Sequence, residues 1–350
     1  MSDPARLDPV PPGLRARADL KRGFIAAAGW ADAQYGRLAG DASDRSYDRL
    51  THPGGSAVLM DAPPGRGDDP ADFLAIGTHL LSLGLSAPRV LAQDLTQGFL
   101  LLEDLGDGIL ARLVAQDPGA EAGLYAVATD VLAHLQAHPA PGGLPNLSAG
   151  DWADAACFAP DWYAMAVTGA RPQTQAFRDT LAGLIHDHAD GPRVLILRDY
   201  HAENLLWLPD RQGLARMGLL DFQLGQMGQP GYDLVSLLQD ARRDVTLATE
   251  AAMIRRFIAA TGTDEAGFRR TYAVLGAQRA LRILGIFARL CLVAGKAQYV
   301  ALIPRVWAQL QRNLSAPGME DLARICAKIL PPPTPKALTA IESRCKTHSP

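Results

Sequence analysis

Apolar positions along this chain follow two periods in turn. Leu14, Ala18, Phe24 and Ile25 recur among charges at helical spacing, and Gly29 can end that helix. Tyr35 to Leu50 reads as a strand, a turn of small residues and a second strand, and Ser56 to Asp61 reads as a third. Asp69-Pro70 opens a helix with a stripe of Phe73, Leu74, Ile76, Leu80, Leu81 and Leu83, stopped by Gly84. Residues 89–92 and 99–102 read as short buried strands. From Ile109 the period turns helical, over 110–116, 120–138 and 173–187, with an aromatic-rich stretch at 151–166. Strands return at 194–197, 205–208 and 214–220, and helices follow at 232–241, 251–261, 265–291, 298–313 and 320–329. Pro331-Pro332-Pro333 breaks the last helix, and 331–350 is expected to be a disordered tail. Strands gathered early and helices gathered late predict an α+β protein.

Composition narrows the class. Hydrophobic residues make up 48% and the formal net charge is −3, which fits a globular core and suggests neither nucleic acid nor an anionic membrane as partner. No apolar run is long enough to span a bilayer. The polar, proline-rich start lacks the signature of a signal peptide, so a cytoplasmic location is expected. Cys157, Cys291, Cys326 and Cys345 form no Cys-x-x-Cys pair and read as reduced thiols. The lysines are Lys21, Lys296, Lys328, Lys336 and Lys346, so none falls between 21 and 296. The pattern specifies no oligomeric state.

The chemistry concentrates at Arg198-Asp199-Tyr200-His201-Ala202-Glu203-Asn204, before the apolar run Leu205 to Leu208. An Asp with an Asn five residues on can orient a hydroxyl and hold a magnesium ion. If 204–208 and 214–220 pair antiparallel, Asp221 falls beside Asn204 as a second oxygen ligand, a set that suits Mg²⁺ sharing substrate phosphates. Upstream, Gly40-Asp41-Ala42-Ser43 lets backbone amides approach phosphate oxygens, and Ser43 and Arg45 add donors. His201 can brace the loop or touch the transferring phosphate. Arg242 or Arg243 can meet an acidic substrate group or form a solvated helix end, and Arg279 and Arg282 are weaker candidates. Trp152, Phe158, Trp162 and Tyr163 fit helix packing better than a substrate-stacking surface.

Asp199-x-His201-x-x-Asn204, then Leu219-Leu220-Asp221-Phe222, then Gly228-Gln229-Pro230-Gly231-Tyr232-Asp233-Leu234 resemble the aminoglycoside phosphotransferase and choline kinase superfamily. The resemblance implies a bilobal, protein-kinase-like fold, with a nucleotide-binding lobe at 1–105 and a catalytic and substrate lobe at 106–330. It implies ATP and Mg²⁺ as cofactors, Glu103 to Leu105 as a hinge binding adenine through its backbone, and Asp233 as a brace for the catalytic loop. The sequence departs from the family at the third strand, where Met60 or a neighbour replaces the phosphate-binding lysine. Arg45, then Arg49, are the candidate substitutes.

Gly40-Asp41-Ala42-Ser43 with Arg45 and Tyr47, Met60 to Pro63, Leu101 to Gly106 and Tyr232 to Arg242 are similar to a bacterial branch that phosphorylates the anomeric hydroxyl of N-acetylmuramate and N-acetylglucosamine. That similarity implies an amino sugar as substrate and a place in peptidoglycan recycling. A choline-type or aminoglycoside-type kinase, or a nucleotide-binding pseudokinase scaffold, stands as the alternative.

Overall fold

A computed structural model describes residues 12–38, 45–65, 67 and 69–348. The chain divides into two compact units, one of Met1–Asp107 with Gly218–Leu224, the other of Gly108–Met217 with Gly225–Pro350.

In the first unit, helix α1 (Pro12–Ala27) precedes strands β1 (Gln34–Leu38), β2 (Ser46–His52) and β3 (Gly55–Asp61). Helix α2 (Pro70–Ser82) and strands β4 (Val90–Asp94) and β5 (Phe99–Glu103) follow. The strands form one antiparallel sheet in the order β1-β2-β3-β5-β4. Strand β5 is buried along Phe99 to Leu102, so both faces of the sheet are covered. Phe99 and Leu101 join a core with Ile25, Leu50 and Leu59 under α1, while the pleat turns Leu100 and Leu102 to the other face. Asp69 caps α2 by accepting from the Ala71 N–H, with Pro70 in the first turn.

The segment 218–224 is tied into this unit from far along the chain. The Leu219 N–H donates to the Ser86 carbonyl at 2.7 Å. Phe222, fully buried, stacks on Phe73 with ring centroids 4.8 Å apart.

The second unit is mostly helical: α3 (Leu110–Gln116), α4 (Glu121–Gln136), α5 (Ala149–Ala156), α6 (Met165–Thr168) and α7 (Gln175–Ala189), then α8 (Tyr232–Leu238), α9 (Leu247–Thr261), α10 (Glu265–Leu292), α11 (Ile303–Leu314), α12 (Glu320–Ile329) and α13 (Pro335–Glu342). A π-helical segment, Ala159–Ala164, packs tightly on α10. A Cβ on Gly285 would lie 2.1 Å from the Phe158 carbonyl oxygen, so that contact requires glycine. Strands β6 (Val194–Ile196), β7 (Leu205–Trp207), β8 (Met217–Leu219) and β9 (Gln226–Gly228) frame the catalytic-loop sequence, and the chain passes from one unit to the other within β8. Among the described residues, no helix is long and apolar enough to cross a membrane.

Five expectations are corrected. The return strand at 214–220 shrinks to Met217–Leu219, because Gly213–Arg216 forms a 3-10 turn, ended by the Met217 N–H donating to the Leu214 carbonyl. Helix α8 ends at Leu238 rather than 241, and α9 begins at Leu247 rather than 251, with Thr246 accepting from the Thr249 N–H as its cap. Residues 331–348 are not a disordered tail. They include α13, which buries Ala337 and Ile341 and carries a Thr334 cap. Cys291 and Cys345 are not free thiols but a disulfide that fastens this segment to the end of α10, beside the Lys346 N–H donating to the Cys291 carbonyl at 2.9 Å.

Candidate active site

In the second unit, the loop 197–204 is held at every turn of its backbone. Asp233, at the start of α8 and fully buried, accepts from the Leu197 N–H at 2.6 Å and the Arg198 N–H at 2.9 Å. Burial pushes its carboxyl up to about 7, against the pull of those two amides and with a smaller upward push from Asp199. Tyr200 is buried and donates its hydroxyl to the Ala128 carbonyl of α4 at 2.8 Å. Asn204 donates its Nδ2 to the Asp199 carbonyl at 2.9 Å, which fixes the plane of its amide and the direction of Oδ1. Arg198 adopts a positive φ of 69°, unusual for a residue with a side chain, so the turn before Asp199 is imposed by these contacts. Asp199 is half-buried, and among the described residues its carboxylate accepts no hydrogen bond.

Around this loop lies a second layer. His201 is buried, and its Nε2 accepts from Arg242 Nη1 at 3.2 Å. Burial holds its pKa well below the usual imidazole range, helped by the charges of Arg242 and Arg279. Arg279 on α10 is also buried and donates to the Ser236 hydroxyl at 2.9 Å and the Gln239 carbonyl at 3.2 Å. Ser236 in turn donates to the Arg198 carbonyl at 3.3 Å. Asp240 accepts from the Arg242 backbone N–H at 2.8 Å, and its Oδ2 is buried without a hydrogen-bond partner. Arg243 is spent elsewhere: it donates to Glu121 at 2.9 Å and to the Tyr125 hydroxyl.

In the first unit, Arg45 is buried, and its Nη2 lies 3.3 Å from Asp221 Oδ1. Gln223 Nε2 donates to the same oxygen at 2.8 Å, and Asp221 takes a positive φ of 55°. Arg49 is not a second phosphate candidate of the same kind. It donates to Asp104 at 3.0 Å and to Asp107 at 2.8 Å, fastening β2 to the loop after β5. Lys21 is also committed, to Asp48 and to Asp61. The Glu103 N–H donates to the Arg89 carbonyl at 2.8 Å, within the sheet, and its carboxylate pairs with Arg89. Leu105, two residues on, makes no hydrogen bond among the described residues. Gly40, Asp41, Ala42 and Ser43 lie outside the described residues.

The expected site residues therefore fall in two groups: Asp199, His201, Asn204, Asp233 and Arg242 in one unit, and Arg45, Glu103, Leu105 and Asp221 in the other. Asn204 and Asp221, one in each unit, each carry an oxygen donor, an amide and a carboxylate, the donor type that Mg²⁺ takes. Among the described residues, no group of three or more His, Cys, Asp or Glu side chains is arranged to hold a metal. The aromatics belong to packing: Trp152 lies on Tyr232, Tyr163 donates to the Pro331 carbonyl, and Trp162 lies beneath Arg289. Tyr200, Gln223, Ser236 and Asp240 were missed. The signal for Ser236 was present, since a hydroxyl inside Leu234-Val235-Ser236-Leu237-Leu238 needs a buried partner.

Comparison with known proteins places this geometry. N-acetylmuramate/N-acetylglucosamine kinase of Caulobacter vibrioides is 36% identical, over 87% of this chain and 94% of its own. The protein of the same name from Pseudomonas putida is 31% identical, over 86% and 90%. Among solved structures, a choline/ethanolamine kinase family protein from Mesorhizobium loti matches 93% of this chain and 99% of its own, with a TM-score of 0.57 at 17% identity. An ADP-bound aminoglycoside phosphotransferase matches 84% and 97%, with a TM-score of 0.56 at 14% identity. The sheet-plus-helices architecture is thus that of the aminoglycoside and choline kinases. Residues 35–274, from β1 into α10, match the model of the phosphotransferase enzyme family, and the chain, with its braced Asp199 loop, belongs to that family.

Proposed function

We propose that this protein transfers the γ-phosphoryl group of ATP to the anomeric hydroxyl of N-acetylmuramate and/or N-acetylglucosamine, as a cytoplasmic step of peptidoglycan recycling. The observation that carries the reading is the Asp199 carboxylate, which among the described residues accepts no hydrogen bond, on a loop fixed by Asp233, Tyr200 and Asn204. The sugar is supplied by the relatives named for it, which this chain matches over most of its length.

In this mechanism Asp199 accepts a hydrogen bond from the C1 hydroxyl, aligns it with the γ-phosphorus and takes its proton late in a loose transition state. The bond from phosphorus to the β–γ bridging oxygen breaks, a bond to the sugar oxygen forms, and ADP leaves. Asn204 Oδ1 and Asp221 would hold Mg²⁺, which when bound neutralises charge on the β- and γ-phosphates. Arg45 supplies the cation that the missing lysine would give, and Gly40, Asp41, Ala42 and Ser43, outside the described residues, are assigned to the phosphates. The Glu103 carbonyl and the Leu105 N–H bind the adenine edge.

Two structural features disfavour the other acceptors. Choline needs an open aromatic cage, but Trp152 and Tyr163 are packed and Trp162 already faces the Arg289 cation. A polycationic aminoglycoside would meet the exposed Arg242 beside the catalytic loop.

The test is ADP release with a panel of N-acetylmuramate, N-acetylglucosamine, choline and aminoglycosides, followed by phosphorus NMR of the product. A sugar 1-phosphate is expected. Asp199→Asn should lower kcat by at least about 100-fold and leave ATP affinity nearly unchanged. ATP binding without turnover of any acceptor would instead identify a scaffold.

A further inference from the structure

Arg242 stands apart from the arginines near it. Arg243 is neutralised by Glu121, and Arg305 by Asp244. Among the described residues no carboxylate lies within 4.0 Å of the Arg242 guanidinium, although the residue is solvent-exposed. Among the described residues its one side-chain partner is His201 Nε2, at 3.2 Å. A guanidinium can only donate, so that ring nitrogen is an acceptor and the imidazole facing Arg242 is neutral. The anchor therefore fixes the position of the guanidinium without cancelling its charge.

The backbone under it is fixed as well. The Arg242 N–H is held by Asp240, whose carbonyl accepts from Gln309 at 3.0 Å, and the Ala241 carbonyl accepts from Arg305 at 3.3 Å. On α10, Arg279 is a second guanidinium with no carboxylate within 4.0 Å among the described residues, and it bonds only to Ser236 and the Gln239 carbonyl. With Nη1 tied to His201, the Nε–Nη2 edge of Arg242 donates to nothing among the described residues. That edge is the two-donor fork that grips a carboxylate. His201 lies on the catalytic loop, two residues from Asp199, and its Nε2 is also 3.5 Å from Asn204 Nδ2, so the fork is anchored to the loop that carries the residue assigned to the acceptor hydroxyl.

We propose that Arg242, positioned by His201, reads an anionic substituent on the acceptor sugar, namely the lactyl carboxylate that N-acetylmuramate carries and N-acetylglucosamine lacks. This rests on the sugar-kinase reading and adds to it the residue that separates the two sugars.

Steady-state kinetics of the wild type, Arg242→Ala and Arg242→Lys with both sugars at saturating ATP test it. The ratio of kcat/KM for N-acetylmuramate to that for N-acetylglucosamine should fall about 10- to 100-fold in Arg242→Ala, mainly through KM for the acid. Arg242→Lys should recover part of the loss, because it keeps the charge without the fork. An unchanged ratio in Arg242→Ala, whether both activities fall together or neither moves, overturns the proposal and leaves the sugar-kinase reading intact. A wild type that phosphorylates only N-acetylglucosamine overturns it too. A wild type inactive on both sugars overturns the sugar-kinase reading, and this proposal with it.

Discussion

Arg45 and Arg49 sit close together in sequence, and the sequence offers no reason to separate them. Their surroundings do. Arg49 meets two carboxylates, Asp104 and Asp107, and its pKa is raised chiefly by the hydrogen bond to Asp107. Arg45 is buried against Asp221, the residue assigned to the metal. Arg45→Ala should therefore lower kcat/KM for ATP by about 100-fold or more, the scale expected when a preorganised charge facing the transferred group is removed. Arg49→Ala should mainly cost stability, about 1 kcal/mol for a partly exposed ion pair, with a few-fold effect on ATP through the loop after β5. Melting temperatures and ATP titrations of the two variants decide the matter, and the reverse ranking would move the phosphate cation to Arg49. The same logic separated Arg242 from Arg243. Adjacent arginines look alike in a sequence because the partner that occupies one of them, here Glu121, lies far along the chain.

Helix α8 is buried along its whole length, and it was legible as a helix near the catalytic loop because Gly231-Tyr232-Asp233 opens it. Its role as a brace came from the family resemblance, and the distances from Asp233 to the Leu197 and Arg198 N–H groups now give that role a geometry. The pH behaviour was not legible, since it depends on how completely the helix is buried. With the folded pKa raised to about 7 from an ordinary value of 3.8, the folded state keeps a proton that the unfolded chain gives up. The stabilising difference is complete below about pH 4 and is lost as pH rises through 7. Relative to Asp233→Asn, the wild type should lose up to about 1.4 kcal/mol of stability per pH unit across that window. Denaturation at pH 4, 5.5 and 7 measures it. A difference that stays flat or grows with pH would mean that the two backbone amides, not burial, set the ionisation. Where reading the elements failed, the cause was also local. The start of α9 was hidden because Leu247 is exposed and the cap is one hydroxyl, on Thr246. Helix α13 was hidden because Pro331 to Pro333 end one helix, while a Thr334 cap and a Cys291–Cys345 link hold the next.

At the scale of the whole molecule, the division into two units does not follow the chain. The first unit needs Gly218–Leu224, so its core is completed by residues synthesised only after a long part of the second unit, Gly108–Met217. The sequence could not show this, because the segment reads as the continuation of a hairpin that begins in the other unit. The physical test is Phe222. It is fully buried, stacks on Phe73, and packs close to Gly77, where a Cβ would lie 3.4 Å from its ring. Phe222→Ala should cost about 3 kcal/mol or more. That cost should fall on the unit whose core loses the ring. Amide hydrogen exchange in the full chain should show β2, β3 and β5 exchanging more than 100-fold faster, while the centre of α10 keeps its protection. If α10 lost protection to the same degree, the two units would unfold as one, and the segment would serve as a link rather than as part of the first core. If neither region changed, the stacking of Phe222 on Phe73 would contribute nothing to the sheet that ends in Glu103 and is preceded at β2 by Arg45.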